Sequence, residues 1–344
     1  MQPKQSALQL EERRLLSKVA YLYHELRLKQ SAIAQQLDVS QSTVSRLLKR
    51  AELEGIVQVV LRVPQGIYTP LENQLREQYH LKSCIIVDCE DPDDTESIQR
   101  YLGQAAAYYI ETTLGSSEIV GISSWSSTLL AMVDAQRPLS WSTHAKVVQI
   151  LGGVGNPSAE IYASRLTERF SKIINADAIY LPAPGVAASR DTRDVLLHDP
   201  FVREALDMFD HITLALVGIG ALEPSVLLAR SGNVFSKEEL DTLRHHGAVG
   251  DISLRFFDLQ GSPVITPLDE RVISIRLDQL KNVRRSVGIA GGRRKHIAIK
   301  SALIGGWINV LITDRFTAEY LISADANKET GIDDNTTSPF PTHA

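Results

Sequence analysis

Residues Gln30 to Lys49 read QSAIAQQLDVSQSTVSRLLK. Ile33, Ala34 and Leu37 are apolar at helical spacing, and after the segment Leu37-Asp38-Val39-Ser40 the pattern resumes at Val44, Leu47 and Leu48. The spacing predicts two short amphipathic helices joined by a turn. Ser40 stands where an N-cap belongs, because its hydroxyl can accept from backbone N–H groups that a helix start leaves free. Asp38 occupies the turn, and aspartate is one of the few types besides glycine that tolerate positive φ. Ala34 is small enough to let the helices cross closely. What remains outward on the second helix is Gln41, Ser42, Thr43, Ser45, Arg46, Lys49 and Arg50, with hydrogen-bonding side chains first and most of the cations further along.

This arrangement resembles the helix-turn-helix of bacterial transcription factors. In such a reader the early residues of the second helix meet base edges and the later cations meet phosphates. Those seven residues are therefore candidate DNA contacts. An ordinary helical hairpin with a polar outer face would share the apolar pattern. Working outward, Leu8 to Leu28 is predicted helical, with Leu15, Leu16, Val19, Leu22 and Leu26 as the stripe beneath the other two helices. Beyond Gly55, Ile56 to Val63 (IVQVVLRV) reads as a strand, a wing from which Arg62 could reach a phosphate. Pro64 and Gly66 mark a boundary. The net charge of the 344-residue chain is −5, so nothing global points to nucleic acid. The asymmetry is local, with Arg13, Arg14, Lys18, Arg27 and Lys29 adding to the basic head while Asp88, Glu90, Asp91, Asp93, Asp94 and Glu96 follow it.

Length allows two domains with ample core. After a connecting helix or linker over 64–80, with Leu71 and Leu75 on one face, strands and helices alternate. Strands are expected at Ser83–Val87, Glu118–Ile122, Lys146–Leu151, Ala178–Leu181, Ile212–Ile219, Ser253–Asp258, Val272–Ile275, Ser286–Ala290 and Val310–Thr313. Ile98 to Leu114 is expected as a helix. This rhythm predicts an α/β, Rossmann-like domain with a largely parallel sheet over 81–323. The polar residues 324–344 have little to bury and are expected to be disordered. Cys84 and Cys89 form no disulfide framework or zinc spacing and read as structural. No secretory h-region and no membrane-length apolar run is visible, so a cytoplasmic protein without a membrane partner is expected.

Open parallel sheets bind ligands where loops leave the carboxyl ends of their strands. Four such loops stand out. Gly121-Ile122-Ser123-Ser124-Trp125-Ser126-Ser127-Thr128 offers hydroxyls and a helix start suited to a phosphate. Gly152-Gly153-Val154-Gly155-Asn156 and Gly218-Ile219-Gly220 follow two further strands. In Gly291-Gly292-Arg293-Arg294-Lys295, glycines precede cations at a helix start, and Ile297, Ala298 and Leu303 are expected to pack inward, leaving Lys295 free to reach phosphate. Any one of these could be a tight turn with a solvated lysine; four in one sheet define a pocket.

With these passages in view the whole chain, to about residue 322, resembles the SorC family of sugar-responsive transcriptional regulators. The resemblance is carried by Gln30–Lys49, Val148-Gln149-Ile150-Leu151-Gly152-Gly153, Leu181-Pro182-Ala183-Pro184, and Leu216-Val217-Gly218-Ile219-Gly220. Gly247-Ala248-Val249-Gly250-Asp251-Ile252, Ala290 to Lys295 and Leu311-Ile312-Thr313-Asp314 complete it. It implies a winged DNA-binding head and an effector domain related to sugar-phosphate isomerases and glucosamine-phosphate deaminases. It also implies homo-oligomers, dimers or tetramers, whose grip on double-stranded operator DNA changes when a sugar phosphate binds. Carried over, the phosphate would rest on Ser124, Ser126, Ser127 and Thr128 with Lys295 as counter-charge. The sugar would lie near Gly152, Gly153, Gly218, Gly220 and Asp251. Two departures follow: Ser126 stands where relatives often have glycine, and Leu151 where one branch has an imine-forming lysine.

The rival reading is an active sugar-phosphate isomerase or deaminase with a DNA-binding head. The related deaminases carry Gly-Asp-Gly-His where this chain has Ala221-Leu222-Glu223-Pro224 after Gly220. Glu223 and Asp251 remain as carboxylates without a histidine in the four loops, so no acid–base pair is in place. Neither catalysis, a metal nor a cofactor is expected.

Overall fold

The computed structural model describes residues 7–58, 64–141, 144–156 and 166–329. The chain divides into two compact units, Met1–Val63 and Pro64–Ala344.

Among the described residues the first unit has three helices, Ala7–His24, Gln30–Gln36 and Gln41–Leu53. Asp38 turns at φ 54°, and the Val39 N–H donates to the Ala34 carbonyl at 3.0 Å. Ser40 Oγ accepts from the Thr43 N–H at 3.1 Å and caps the third helix. Leu16, Val19, Ala20, Leu22, Ile33, Ala34, Val44, Leu48 and Ala51 supply the buried side chains. The first helix stops at His24 and Arg27 turns at φ 54°. Leu26 therefore lies past the helix and is exposed, and Leu15 is exposed on its flank, so neither belongs to the buried stripe. Residues 56–58 are not strand; the rest of the expected wing, with Arg62, lies outside the described residues.

The second unit begins with the helix Thr69–Gln78, whose Leu75 joins the same core cluster as Leu81 and Cys84. Its strands are β1 (Ser83–Val87), β2 (Ile119–Ile122), β3 (Lys146–Gln149), β4 (Asp177–Ile179) and β5 (Leu214–Val217). They continue with β6 (Gly220–Ala221), β7 (Gly250–Ile252), β8 (Arg255–Phe257), β9 (Arg285–Ile289) and β10 (Val310–Asp314). Seven form one sheet in the order β1-β10-β9-β5-β2-β3-β4, and every neighbouring pair is parallel. Strands covered on both faces must be apolar throughout. β5 shows this: Leu214 and Leu216 pack on one side, Ala215 and Val217 on the other, and all four are buried. Full burial of each leucine contributes about 1.5–3 kcal/mol. Two buried thiols add to the core, and burial pushes Cys84 up to about 12 and Cys89 up to about 11.

β6, β7 and β8 form a separate antiparallel sheet. It absorbs part of the expected 253–258 strand, while β6 and β7 are too short and glycine-containing to register as periodic patterns. Val272–Ile275 is not a strand. Val272 bridges to Val186 and Ser274 to Leu151, single pairs that build no ladder. The terminal helix Arg315–Glu329 continues past Ala324, where the polar tail was expected to start; alanine, lysine and glutamate favour that extension.

At the amino edge of the sheet Glu118 is buried. Thr213 Oγ1 donates to it at 2.5 Å, and Arg284 and Arg285 reach it at 2.6 and 2.8 Å. Burial alone would raise its carboxyl; the Thr213 hydroxyl and the Arg285 and Arg284 charges outweigh this and hold it below the ordinary value. A depressed carboxyl pKa contributes stability that is present above the unfolded-state value and lost as pH falls through the folded-state one. Glu118→Ala is expected to cost about 2–4 kcal/mol, because it strands the largely buried Arg285 guanidinium. Thermal unfolding of the wild type and variant should converge as pH drops through the acidic range.

Candidate functional site

The strand order reverses between β2 and β5. From β2 the chain moves outward to β3 and β4; it then returns to lay β5 against the other side of β2 and proceeds to β9 and β10. Such a reversal leaves a crevice at the carboxyl ends, the usual ligand position in an open parallel sheet. The four loops read from the sequence leave β3, β2, β5 and β9, which are adjacent in the sheet. They therefore share this edge.

Within it the candidate residues take distinct roles. Ser124 is fully buried and donates to the Leu151 carbonyl at 2.9 Å, tying the β2 loop to the β3 loop. Trp125, which sequence reading passed over, does the same through its indole N–H to the Gly152 carbonyl at 2.9 Å. Ser126 caps the helix Ser127–Ala135 by accepting from the Leu129 N–H at 3.3 Å. Ser127 is half-buried and Thr128 buried at the start of that helix, whose first N–H groups have no intrahelical acceptor. Gly152 and Gly153 are packing positions. A Cβ on Gly152 would lie 2.4 Å from the Pro184 backbone, and one on Gly153 2.8 Å from the Gln149 carboxamide. Gly218 meets the crevice at the switch point, where a Cβ would sit 3.0 Å from Ser126 Oγ.

Asp251 lies on β7 opposite Gly220 of β6. A Cβ at 220 would fall 2.0 Å from Asp251 Oδ1, so only glycine allows this approach. Asp251 Oδ2 accepts from the Leu254 N–H at 2.9 Å. That bond holds a two-residue hairpin in which Ser253 and Leu254 both have positive φ, 53° and 64°. Neither is glycine or asparagine, so the turn is strained, and Ser253 Oγ reaches Ser123 Oγ at 3.5 Å.

Lys295 belongs to a short 3-10 turn, Arg293–Lys295, before the helix His296–Gly305. Asp314, fully buried at the end of β10, accepts from the Gly292 N–H at 2.7 Å and from Thr317, and so sets the turn that carries the lysine. Gly292 has φ 92° there. Ala298 and Leu303 pack inward, but Ile297 is exposed because the helix begins one residue before it and turns that position outward. Part of the Lys295 and Asp251 side chains touches solvent, yet protein atoms crowd both. Desolvation is the largest influence on each, pushing Asp251 up to about 6 and Lys295 below its ordinary value. Their mutual attraction opposes both shifts. The crevice thus combines a partly desolvated ammonium, an opposing carboxylate and a helix start. That combination suits a polyhydroxylated anion.

Other acid–base candidates lie elsewhere. Glu223 is exposed and paired with Arg244 at 3.1 Å. His296, next to Lys295, stacks on Tyr320 with ring centroids 4.5 Å apart, and burial lowers its pKa. On the head, Gln41, Ser42, Ser45, Arg46 and Lys49 are exposed along one helix, with Thr43 half-buried among them. Arg50 is exposed too, but bonds Glu54 at 2.6 Å and pairs with Glu12.

The chain is similar to known proteins along nearly its whole length. A sugar-binding domain family matches residues 66–323, and a homeodomain-like domain matches residues 9–60. The deoxyribonucleoside regulator of Bacillus subtilis is 32% identical, covering 91% of this chain and 98% of the relative. The sorbitol operon regulator of Klebsiella pneumoniae is 30% identical, over 90% and 98%. Among solved structures, the full-length sorbitol operon regulator SorC from K. pneumoniae superposes with a TM-score of 0.68 over 90% of this chain and 98% of that one. The sugar-binding domain of the transcriptional regulator DeoR from Pseudomonas syringae pv. tomato is 42% identical over 75% of this chain and all of that one, with a TM-score of 0.59. Fold and site define a two-unit protein with a helix-turn-helix head and a crevice at the switch point of its parallel sheet. The chain belongs to the SorC family of sugar-binding transcriptional regulators.

Gly220→Ala should drive its methyl into Asp251 and weaken ligand binding at least tenfold, with overpacking costing about 1–3 kcal/mol. Gly218→Ala should be milder, because its methyl would stand 3.0 Å from Ser126 Oγ, an overlap relieved by a small shift. Calorimetric titration and thermal unfolding of both variants separate the two outcomes.

Proposed function

We propose that the chain regulates transcription of a carbohydrate-utilisation operon, and that a phosphorylated sugar or polyol sets its hold on operator DNA. One observation carries this reading: a desolvated lysine and carboxylate lie in a switch-point crevice of a chain that also has a capped helix-turn-helix. The ligand is an effector and not a substrate. Turnover would need a general base and acid at the sugar carbon; Asp251 is a single carboxylate, Glu223 is paired with Arg244, and the His296 ring is stacked on Tyr320.

In this reading the phosphate rests at the Ser127–Thr128 helix start, with Ser126 alongside and Lys295 as counter-charge. Ser124 supports the loop from below. Asp251 accepts from sugar hydroxyls, and Gly218 and Gly220 leave room for the ring. Gln41, Ser42, Thr43, Ser45 and Arg46 read bases while Lys49 meets phosphate. Paired heads from a homo-oligomer would place half-sites of an inverted repeat about 34 Å apart, or at a multiple of that spacing.

A phosphomonoester carries nearly two charges at neutral pH and needs donors with a balancing cation. The sugar phosphate should therefore bind at least tenfold more tightly than its free parent, about 1.4 kcal/mol. Lys295→Ala should abolish most of that preference while leaving the fold and basal DNA affinity intact. Binding should weaken as pH falls through about 6, where Asp251 gains its proton, and also as pH rises through the lowered Lys295 value. Asp251→Asn should remove the Asp251 part of the acid limb, leaving only the phosphate's own titration. Calorimetry across pH with matched phosphorylated and free ligands is the check, and equal affinities would show that the crevice reads something else.

For the head, Arg46→Ala should cost about 1–3 kcal/mol on the preferred site and relax choice at one base pair. Selection of preferred duplexes from a random pool, followed by titration of wild type and variant, measures both. An unchanged preference would remove Arg46 from the base readers.

A further inference from the structure

The cations of the head fall into two groups. Arg14 pairs with Glu11 at 2.7 Å, Arg13 with Glu54 at 3.9 Å, and Arg50 with Glu54 at 2.6 Å and with Glu12. These pairs neutralise the flank where the first helix runs beside the end of the third. Arg27, Lys29 and Lys49 enter no ion pair among the described residues, and Arg46 reaches only the Thr43 hydroxyl, at 3.4 Å. Lys18 also enters no ion pair among the described residues, but it lies on the first helix.

Arg27 and Lys29 border a hollow between the first and second helices. Tyr23, Leu28, Gln30, Ser31 and Gln41 complete its lining. Gln41 opens the third helix, and in a helix-turn-helix that end of the recognition helix enters the major groove. Side chains sharing a hollow with Gln41 therefore meet the sugar-phosphate strand at the lip of the groove. Arg27 is exposed and held at φ 54°, a backbone region that most side-chain-bearing residues avoid, so its position is imposed by the fold. Lys29 is likewise exposed, immediately before the second helix.

We propose that Arg27 and Lys29 form the phosphate clamp of the head, gripping consecutive phosphates on the strand that borders the groove read by Gln41. Arg50, which spacing alone assigns to phosphate, serves instead to join the first and third helices through Glu12 and Glu54. This rests on the DNA-binding reading and adds its anchoring residues.

The test uses the full-length protein and a random-sequence duplex of about four helical turns, because phosphate contacts do not depend on sequence. Each lost phosphate contact lowers the slope of log affinity against log salt by about 0.9. Arg27→Gln and Lys29→Gln should each show that drop and weaken random and selected duplexes by the same factor. Arg27→Lys should keep the slope. Arg14→Gln, which removes an already neutralised cation, should leave slope and affinity unchanged. Circular dichroism confirms that each variant keeps its helices. Unchanged slopes in both clamp variants, with a salt-dependent wild type, overturn the clamp alone. A wild type that binds neither random nor selected duplexes overturns the DNA-binding reading with it.

Discussion

The second unit depends on β2 and β5 lying side by side while the chain leaves them toward opposite edges of the sheet. Parallel pairing requires every connection to cross a face, and a reversal of direction means that the crossovers on its two sides cover different faces. The loops above β2 and β5 therefore separate, and neither can fill the space between them. Only at the base of the two loops do Gly218 and Ser126 come together. Buried strands with apolar residues on both faces make the geometry rigid, and the loops inherit that rigidity through bonds from Ser124 and Trp125 to the backbone after β3.

On this frame the small antiparallel sheet supplies the charge. β7 carries Asp251 into the crevice only because Gly220 lacks a side chain and because the strained Ser253-Leu254 turn is tied down by the same carboxylate. From the other side Asp314 sets the Gly292 turn that delivers Lys295. Desolvation penalises both charges more than their attraction compensates, so each is shifted toward neutrality. A bound phosphate changes that balance. In the proposed reading it would give Lys295 a second counter-charge beside Asp251, and a sugar hydroxyl would donate to the Asp251 oxygen that does not accept from the Leu254 N–H. In that reading the contact between the anion and Lys295 exists only in the liganded arrangement, which is a physical basis for differential affinity between liganded and unliganded arrangements.

Much of this was legible in the chain itself. Most strands of the large sheet lie in apolar runs, and β1 begins and ends where its residues change character. The turn at Asp38 and the cap at Ser40 are local chemistry, so they can be read from a few residues. The small sheet was not legible, because its strands are only two or three residues long and are held by pairing across distant segments. Val272–Ile275 looked like a strand for the converse reason. Its apolar pattern reflects burial, and burial does not require a ladder. The glycines show the same limit. Spacing marks Gly152, Gly153, Gly218 and Gly220 alike, whereas two are pressed against Pro184 and Gln149 and two front the ligand crevice.

The head shows why outward-facing charge is not the same as available charge. Lys49 and Arg50 are neighbours at the end of one exposed helical face, and periodicity cannot distinguish them. Their availability is settled by the first helix, which brings Glu12 to Arg50 across a separation of 38 residues. Exposed ion pairs of this kind add little stability, but they cancel the field of the cations they hold. Cancellation on one flank leaves the unpaired cations to set the potential on the other. A chain with a net charge of −5 can thereby present a locally positive surface to a polyanion, and the pairing of Arg13, Arg14 and Arg50 gives that surface a direction.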